Sequence, residues 1–89
     1  MQMQNIFKTE ELNMSVKEQV IEILKNVNAA KDFTSSNELV EGGYMDSFEL
    51  MVLIGLLSDT FGIEIGFDEI IPENFNSVDA IAAMVERLK

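Results

Sequence analysis

The sequence contains no cysteine and no histidine, which removes most of the side chains from which catalytic and metal sites are built. Without cysteine the chain can form no disulfide, no thiolate nucleophile and no thiolate metal site, which fits a reducing compartment. Without histidine it has no imidazole base, no serine–histidine pair and no zinc site of ordinary composition. Only carboxylates remain for acid–base chemistry. We therefore expect a protein that is not an enzyme and holds no metal.

Positive charge is also scarce, with six Lys and Arg against sixteen Asp and Glu and a formal net charge of −10. Nucleic acids and anionic membranes are poor partners for such a chain, because both attract clustered Lys and Arg. The longest apolar stretch, from Leu50 to Leu57, is far shorter than the roughly 20 residues of a membrane span. We expect a cytoplasmic monomer without membrane insertion, whose partners are proteins with basic patches.

The length and hydrophobic content predict one small folded domain. A chain of 89 residues buries only about 60–70% of the surface that its unfolded form exposes, which is enough for one modest core. Hydrophobic residues make up 47% of the chain and charged residues 25%, so the composition is not that of a disordered protein. Residues 1–14 show no sustained period and are predicted to be a flexible N-terminal arm, followed by a domain over residues 15–89.

Local signals predict where the helices begin and end. Ser15 and Glu18 form a capping box that begins the first helix, which ends near Asn28. The second helix begins at Asp46 and Ser47. It closes after Phe61, with Gly62 as its C-terminal cap, and Ser77 caps the last helix. Between these helices, Phe67–Ile71 is predicted to be a single helical turn that is stopped by Pro72.

These elements predict an all-α fold, a small antiparallel four-helix bundle with a short third helix and a long loop between helices one and two. Phe33, Leu39 and Val40 are the residues of that loop available to hold it against the core. The inward face of helix two is predicted to consist of Leu50, Leu53, Ile54, Leu57 and Phe61. It should pack against Val20, Leu24 and Val27 of helix one and Ile81, Val85 and Leu88 of the last helix.

The opposite face of helix two is also apolar, and we predict that it is a docking surface for partner enzymes. Its residues are Phe48, Val52 and Leu56, with Met51 at the flank. Glu49 and Asp59 are the few charges that would orient a partner there. Burial against the rest of the domain is the alternative, most of all for Leu56 and Met51.

Chemistry is concentrated in one segment, Gly43-Tyr44-Met45-Asp46-Ser47-Phe48, which delivers a serine to a helix start. Ser47 has no neighbouring base to activate it as a nucleophile, but it could be a substrate for modification. A phosphodiester on its hydroxyl would lie where free N–H groups and the helix dipole favour an anion. Asp46 offers a hard oxygen ligand to the Mg²⁺ that such a transfer needs. The alternative is that Ser47 only caps the helix.

The run Asp46-Ser47-Phe48-Glu49-Leu50 and the later Phe61-Gly62-Ile63-Glu64-Ile65 resemble the acyl and peptidyl carrier proteins, over residues 15–89. The resemblance implies that Ser47 carries a covalent 4′-phosphopantetheine arm derived from coenzyme A, and that Asp46 helps to hold Mg²⁺ during its attachment. It implies acyl or aminoacyl thioesters as cargo. The implied partners are a phosphopantetheinyl transferase, an adenylating or acyl-loading ligase, and downstream acyl transfer enzymes.

The sequence departs from the fatty-acid carriers around the serine and along helix two. Phe48 stands where they usually have Leu, and Gly43 lies four residues before Ser47 rather than three. Gly-x-x-Asp-Ser-Phe is closer to the pattern of the D-alanyl carrier proteins. Val52 and Ser58 occupy positions where acidic residues are expected. The competing hypothesis is an unmodified acidic helical protein-interaction module in which Ser47 is only a helix cap.

Overall fold

A computed structural model describes residues 14–89, and within this range every regular element is helical. The elements are α1 (Val16–Val27), α2 (Ser47–Phe61), a 3₁₀ turn (Phe67–Glu69), α3 (Pro72–Phe75) and α4 (Val78–Leu88). The all-α class predicted from the sequence is confirmed. The predicted N-terminal arm lies outside the described residues except for Met14. None of the helices within residues 14–89 is long and apolar enough to cross a membrane.

The predicted capping signals operate at the ends of the long helices. At the start of α1, the Glu18 N–H donates to Ser15 Oγ over 3.0 Å, and the Ser15 N–H donates to Glu18 Oε1 over 2.9 Å. Gly62 ends α2 in the left-handed conformation, with φ 64°, which glycine adopts without steric cost. Ser77 Oγ accepts the Ala80 N–H at the start of α4 over 3.0 Å. The predicted ends of these helices are confirmed.

The prediction for the segment around Pro72 was correct for the helical turn, which is present at Phe67–Glu69, and wrong for the role of Pro72. Pro72 does not end a helical turn but occupies the first position of α3, and the preceding turn is the separate 3₁₀ turn Phe67–Glu69. Proline suits the first position of a helix because its φ is already helical and its missing N–H would have no partner there. The short α3 places Phe75 in the core, where it is 1% exposed.

The core forms where α1 packs against both α2 and α4, with α3 packed against α4. Leu53 and Leu57 are the residues of α2 that are completely buried. The other residues predicted for its inward face, Leu50, Ile54 and Phe61, are half-buried and pack against the same core. The predicted partners Val20, Leu24, Ile81 and Val85 are buried, and Val27 and Leu88 are half-buried. The predicted inward face of α2 is therefore correct.

The long loop between α1 and α2 is held to the domain at two points. Phe33 and Leu39 enter the core, as the sequence suggested, and Val40 packs against it. Asn76, just before α4, fixes the middle of the loop. Its backbone oxygen accepts the Leu39 N–H over 2.9 Å, and its Oδ1 accepts the N–H groups of both Val40 and Glu41 over 3.1 Å. This anchoring leaves the end of the loop, residues 42–46, to deliver the start of α2.

Candidate functional site

Ser47 is the first residue of α2, and the N-cap is the residue before it. Asp46 has extended backbone angles, φ −83° and ψ 175°, and its Oδ1 accepts the Glu49 N–H over 2.8 Å. The Asp46 N–H in turn donates to Glu49 Oε1 over 3.0 Å, which completes a capping box. Ser47 is exposed, and its hydroxyl makes no hydrogen bond to any of residues 14–89. Asp46 therefore does the work that the cap hypothesis gave to Ser47.

The start of α2 can accommodate an anion attached to Ser47. The Glu49 N–H is taken by Asp46 Oδ1 and the Leu50 N–H by the Asp46 carbonyl. The N–H groups of Ser47 and Phe48 have no acceptor among the described residues, as is usual for a first turn. Together with the positive end of the helix dipole, these free donors favour a phosphodiester at Ser47. The residues present thus fit the phosphate end of a phosphopantetheine arm.

Asp46 keeps one carboxylate oxygen available for a metal ion brought by a partner. Oδ1 is used in the cap, whereas Oδ2 has no hydrogen-bond partner within residues 14–89, and the residue is exposed. In the described part of the chain, no group of three or more acidic, His or Cys side chains is arranged to hold a metal. Any Mg²⁺ at Asp46 would need most of its ligands from elsewhere.

Glu49 is buried, so the prediction that it orients partners from the surface was wrong. It is 6% exposed. Its Oε2 accepts from Asn28 Nδ2 over 2.8 Å, and its Oε1 accepts from Lys31 Nζ over 3.0 Å as well as from Asp46. These contacts, the Asn28 hydrogen bond foremost, then the Asp46 N–H and the Lys31 ammonium, hold the pKa of Glu49 below its ordinary value despite burial. Asp59 is exposed, and its orienting role stays a prediction.

Lys31 ties the loop to the helix start. Its Nζ donates to the Tyr44 carbonyl over 2.9 Å in addition to Glu49, and it lies 5.4 Å from the centre of the Tyr44 ring. The Tyr44 ring meets Phe33 edge to face at 5.7 Å, and its hydroxyl accepts the Asp32 N–H over 3.2 Å. Tyr44 is thus held at its carbonyl, its ring and its hydroxyl, three residues before Ser47.

The backbone conformation at position 43 requires glycine. Gly43 adopts φ 77°, in the left-handed region that other residues enter only with strain. The turn brings Met45 back to the core, where its N–H donates to the Leu39 carbonyl over 2.8 Å and its side chain is 4% exposed. The segment before Ser47 therefore contains a turn at Gly43, a buried side chain at Met45 and the helix cap at Asp46.

The four residues predicted as a docking surface divide into two pairs. Phe48 and Met51 are exposed at 77% and 63%, which leaves them free to contact a partner. Val52 and Leu56 are half-buried. Leu56 packs against the core, which agrees with the alternative expectation that this residue is buried in the domain. The docking surface itself stays a prediction. Gly55 lies on the same exposed side, where a Cβ would meet no atom within 4 Å.

Sequence reasoning found Ser47 and Asp46 but missed the side chains behind them. Glu49 follows the N-cap Asp46 by three residues. This is the spacing of a capping box, and it indicates that the Glu49 carboxylate faces the backbone rather than a partner. Asn28 and Lys31 are 21 and 18 residues away from Glu49. Local sequence patterns do not predict contacts between residues so far apart in the chain.

An exposed serine at the first position of a helix, with free N–H groups beside it and no base to activate it, suits a hydroxyl that another enzyme modifies, as in a carrier domain. Comparison with known proteins also indicates a carrier domain. The family model described as "Phosphopantetheine attachment site" matches residues 15–85, and the chain belongs to this family. Its cofactor is therefore covalently bound 4′-phosphopantetheine, and the resemblance stated from the sequence is confirmed.

One curated relative extends this result. The chain is 32% identical over 76 residues to a D-alanyl carrier protein of Lactococcus lactis subsp. lactis (strain IL1403). The alignment covers 83% of this chain and 96% of the relative, so the two proteins correspond over nearly the whole domain. No solved structure matches the chain.

Proposed function

We propose that the chain is a stand-alone carrier, not an enzyme, which holds acyl or aminoacyl groups as thioesters on a phosphopantetheine arm attached to Ser47. The exposure of Ser47 at the first position of α2, with the capping role taken by Asp46, is the observation that carries the proposal. An unmodified interaction module with Ser47 as its helix cap is less well supported, because Asp46 and not Ser47 caps α2.

The attachment step uses this chain as a substrate. The Ser47 hydroxyl passes its proton to a base of the transferase, and its Oγ bonds to the phosphorus that bears the pantetheine group of coenzyme A. The P–O bond within the diphosphate breaks, and adenosine 3′,5′-bisphosphate leaves. The N–H groups of Ser47 and Phe48 stabilise the new phosphodiester. Asp46 Oδ2 would help to hold the Mg²⁺ that the transferase brings. When bound, the arm supplies the thiol that the sequence lacks, and the cargo is carried on it.

The proposed partners are a phosphopantetheinyl transferase, an adenylating or acyl-loading ligase and downstream acyl transfer enzymes. D-alanine is the first cargo to test, since the Lactococcus relative is named for it and the segment from Gly43 to Phe48 matches Gly-x-x-Asp-Ser-Phe. We also propose that the helices form the antiparallel four-helix bundle expected of a carrier. The cytoplasmic location and the monomeric state stay predictions from the composition.

The test is an intact-mass measurement after incubation with coenzyme A, Mg²⁺ and a broad-specificity phosphopantetheinyl transferase. The wild-type chain is expected to gain one arm, and Ser47→Ala is expected to gain none. Ser47→Ala should keep its helicity, because Asp46 rather than Ser47 caps α2. Thr60→Ala, which removes a hydroxyl near the other end of the same helix, is the matched control and should be modified normally.

The cargo is tested on the modified chain with an adenylating ligase, ATP and D-alanine, against a fatty acid with its own ligase. A thioester of D-alanine, released by hydroxylamine, is the expected product. Modification that persists in Ser47→Ala, or a wild-type chain that never gains the arm, would contradict the attachment site. Loading by the fatty acid alone would leave the attachment site intact and contradict the choice of cargo.

A further inference from the structure

Two capping boxes in the domain differ in how the acidic residue is used. At α1, Glu18 is exposed, and among residues 14–89 its carboxylate accepts a single hydrogen bond, from the Ser15 N–H. At α2, the Glu49 side chain is only 8% exposed and accepts from Asn28 and Lys31 in addition to Asp46. Since the box at α1 forms without further partners in the described part of the chain, capping alone does not account for the contacts that bury Glu49.

The additional contacts lie on both sides of Ser47. Lys31 Nζ binds the carbonyl of Tyr44, three residues before the serine, and Oε1 of Glu49, two residues after it. Asn28, the C-terminal cap of α1, binds the other oxygen of Glu49. The Lys31 ammonium therefore contacts the chain on both sides of Ser47, and the Glu49 carboxylate links this segment to the end of α1.

A contribution to stability does not by itself explain the ion pair between Lys31 and Glu49. Bringing charged groups out of water has a desolvation cost that often cancels their attraction, and well-packed apolar residues commonly replace buried ion pairs without loss. Lys31 stays 32% exposed in its side chain, which weakens the attraction further. What an ion pair with several directed hydrogen bonds provides beyond apolar packing is a defined geometry.

We infer that Lys31 and Glu49 are a positioning pair, which holds residues 44–47 in the conformation from which Ser47 accepts the arm. The inference rests on the proposed function and adds a role for two residues that do not touch the cofactor. Reacting groups that are misplaced by about 1 Å can lose a hundredfold in rate, so a small displacement of Ser47 is enough to matter.

The experiment measures the kinetics of arm transfer on Lys31→Met, which removes the ammonium and keeps an unbranched apolar side chain. We expect kcat at saturating carrier to fall by about tenfold to a hundredfold, with the KM for coenzyme A unchanged, because coenzyme A binds the transferase. Lys31→Arg should recover most of the rate, since a guanidinium can reach both acceptors. Lys25→Met is the matched control, because within residues 14–89 Lys25 pairs only with the exposed Glu22 on its own helix. Its rate should be that of the wild type.

A second measurement separates positioning from loss of fold. The folded fraction of each variant is measured by circular dichroism under the assay conditions, and a rate that merely followed this fraction would overturn the inference. If Lys31→Met does not fold, Glu49→Gln replaces it. Its amide oxygen can still accept from Asn28 or Asp46 while the ion pair is lost, and its kcat should fall in the same direction. The amide resonances of Asp46, Ser47 and Phe48 should shift in either variant and not in Lys25→Met.

The outcomes distinguish this inference from the proposed function. A wild-type chain that accepts the arm together with a Lys31→Met variant within twofold of its rate would overturn the positioning role and leave the proposed function standing. A wild-type chain that never accepts the arm would overturn both.

Discussion

The two faces of α2 are built from the same kind of side chain and have opposite surroundings. On the inner face, Leu53 and Leu57 are completely buried against α1 and the rest of the core. On the outer face, Phe48 and Met51 are exposed although they are equally apolar. Hydrophobicity alone therefore does not determine which face enters the core. The position of the neighbouring helices does.

The comparison also indicates what each face is for. Apolar side chains that contact the core contribute to folding in proportion to the surface they bury. Apolar side chains that stay in water contribute little to folding, and when several lie beside a modifiable serine they are suited to contact a partner protein. Substitutions on the inner face should therefore change stability, and those on the outer face should change reactions with partners.

The largest effect is expected from Leu57→Ala on the inner face. Removing this fully buried side chain leaves a cavity, and the free energy of unfolding should fall by about 2–5 kcal/mol. Chemical denaturation followed by circular dichroism measures it. Met51→Ala, one of the exposed positions on the same helix, is the control and should change stability far less. A loss of only a few tenths at Leu57 would mean that the inner face has been assigned to the wrong side.

A smaller effect of opposite sign is expected from Gly55→Ala on the outer side. Glycine within a helix is less favourable than alanine by about 1 kcal/mol, and the added Cβ has open space around it, so the domain should become more stable. The melting temperature should rise. Ala83→Gly at an exposed position of α4 is the reverse control and should lower it. A loss of stability in Gly55→Ala would show that this side of α2 is covered.

The smallest change in stability is expected from Phe48→Gln and Met51→Gln. Both side chains are exposed, so the free energy of unfolding should stay within about 0.5 kcal/mol of the wild type. Arm transfer or cargo loading should nevertheless slow down, because the partner loses its apolar contacts. Phe67→Gln, at a 94% exposed phenylalanine outside α2, is the control. Equal slowing by this control would mean that the outer face of α2 has no special role in docking.

The parts of the fold that could be predicted from the sequence are those set by neighbouring residues. Ser15 with Glu18, Gly62 and Ser77 act within one turn of the helix ends that they define, and all of these ends were predicted correctly. Pro72 was misjudged because proline both ends helices and begins them, and only the residues that follow decide between the two.

The candidate site divides in the same way. Ser47 and Asp46 lie in a short motif whose residues are consecutive, so the sequence alone indicates a carrier there. The buried position of Glu49 depends on Asn28 and Lys31, which reach it only after the long loop has folded back. The sequence shows that these polar residues exist, but their meeting depends on the tertiary fold.

The anchoring of the long loop by Asn76 has a consequence for motion. Val40 and Glu41 donate to the same oxygen of a residue 36 and 35 positions later in the chain, so this contact closes a ring that contains all of α2. If this contact opens while the core is also loosened, closing so long a segment again has an entropic cost. Since both N–H groups share one acceptor, a single rotation of the Asn76 side chain frees them together, and their hydrogen-exchange rates report how often this contact opens.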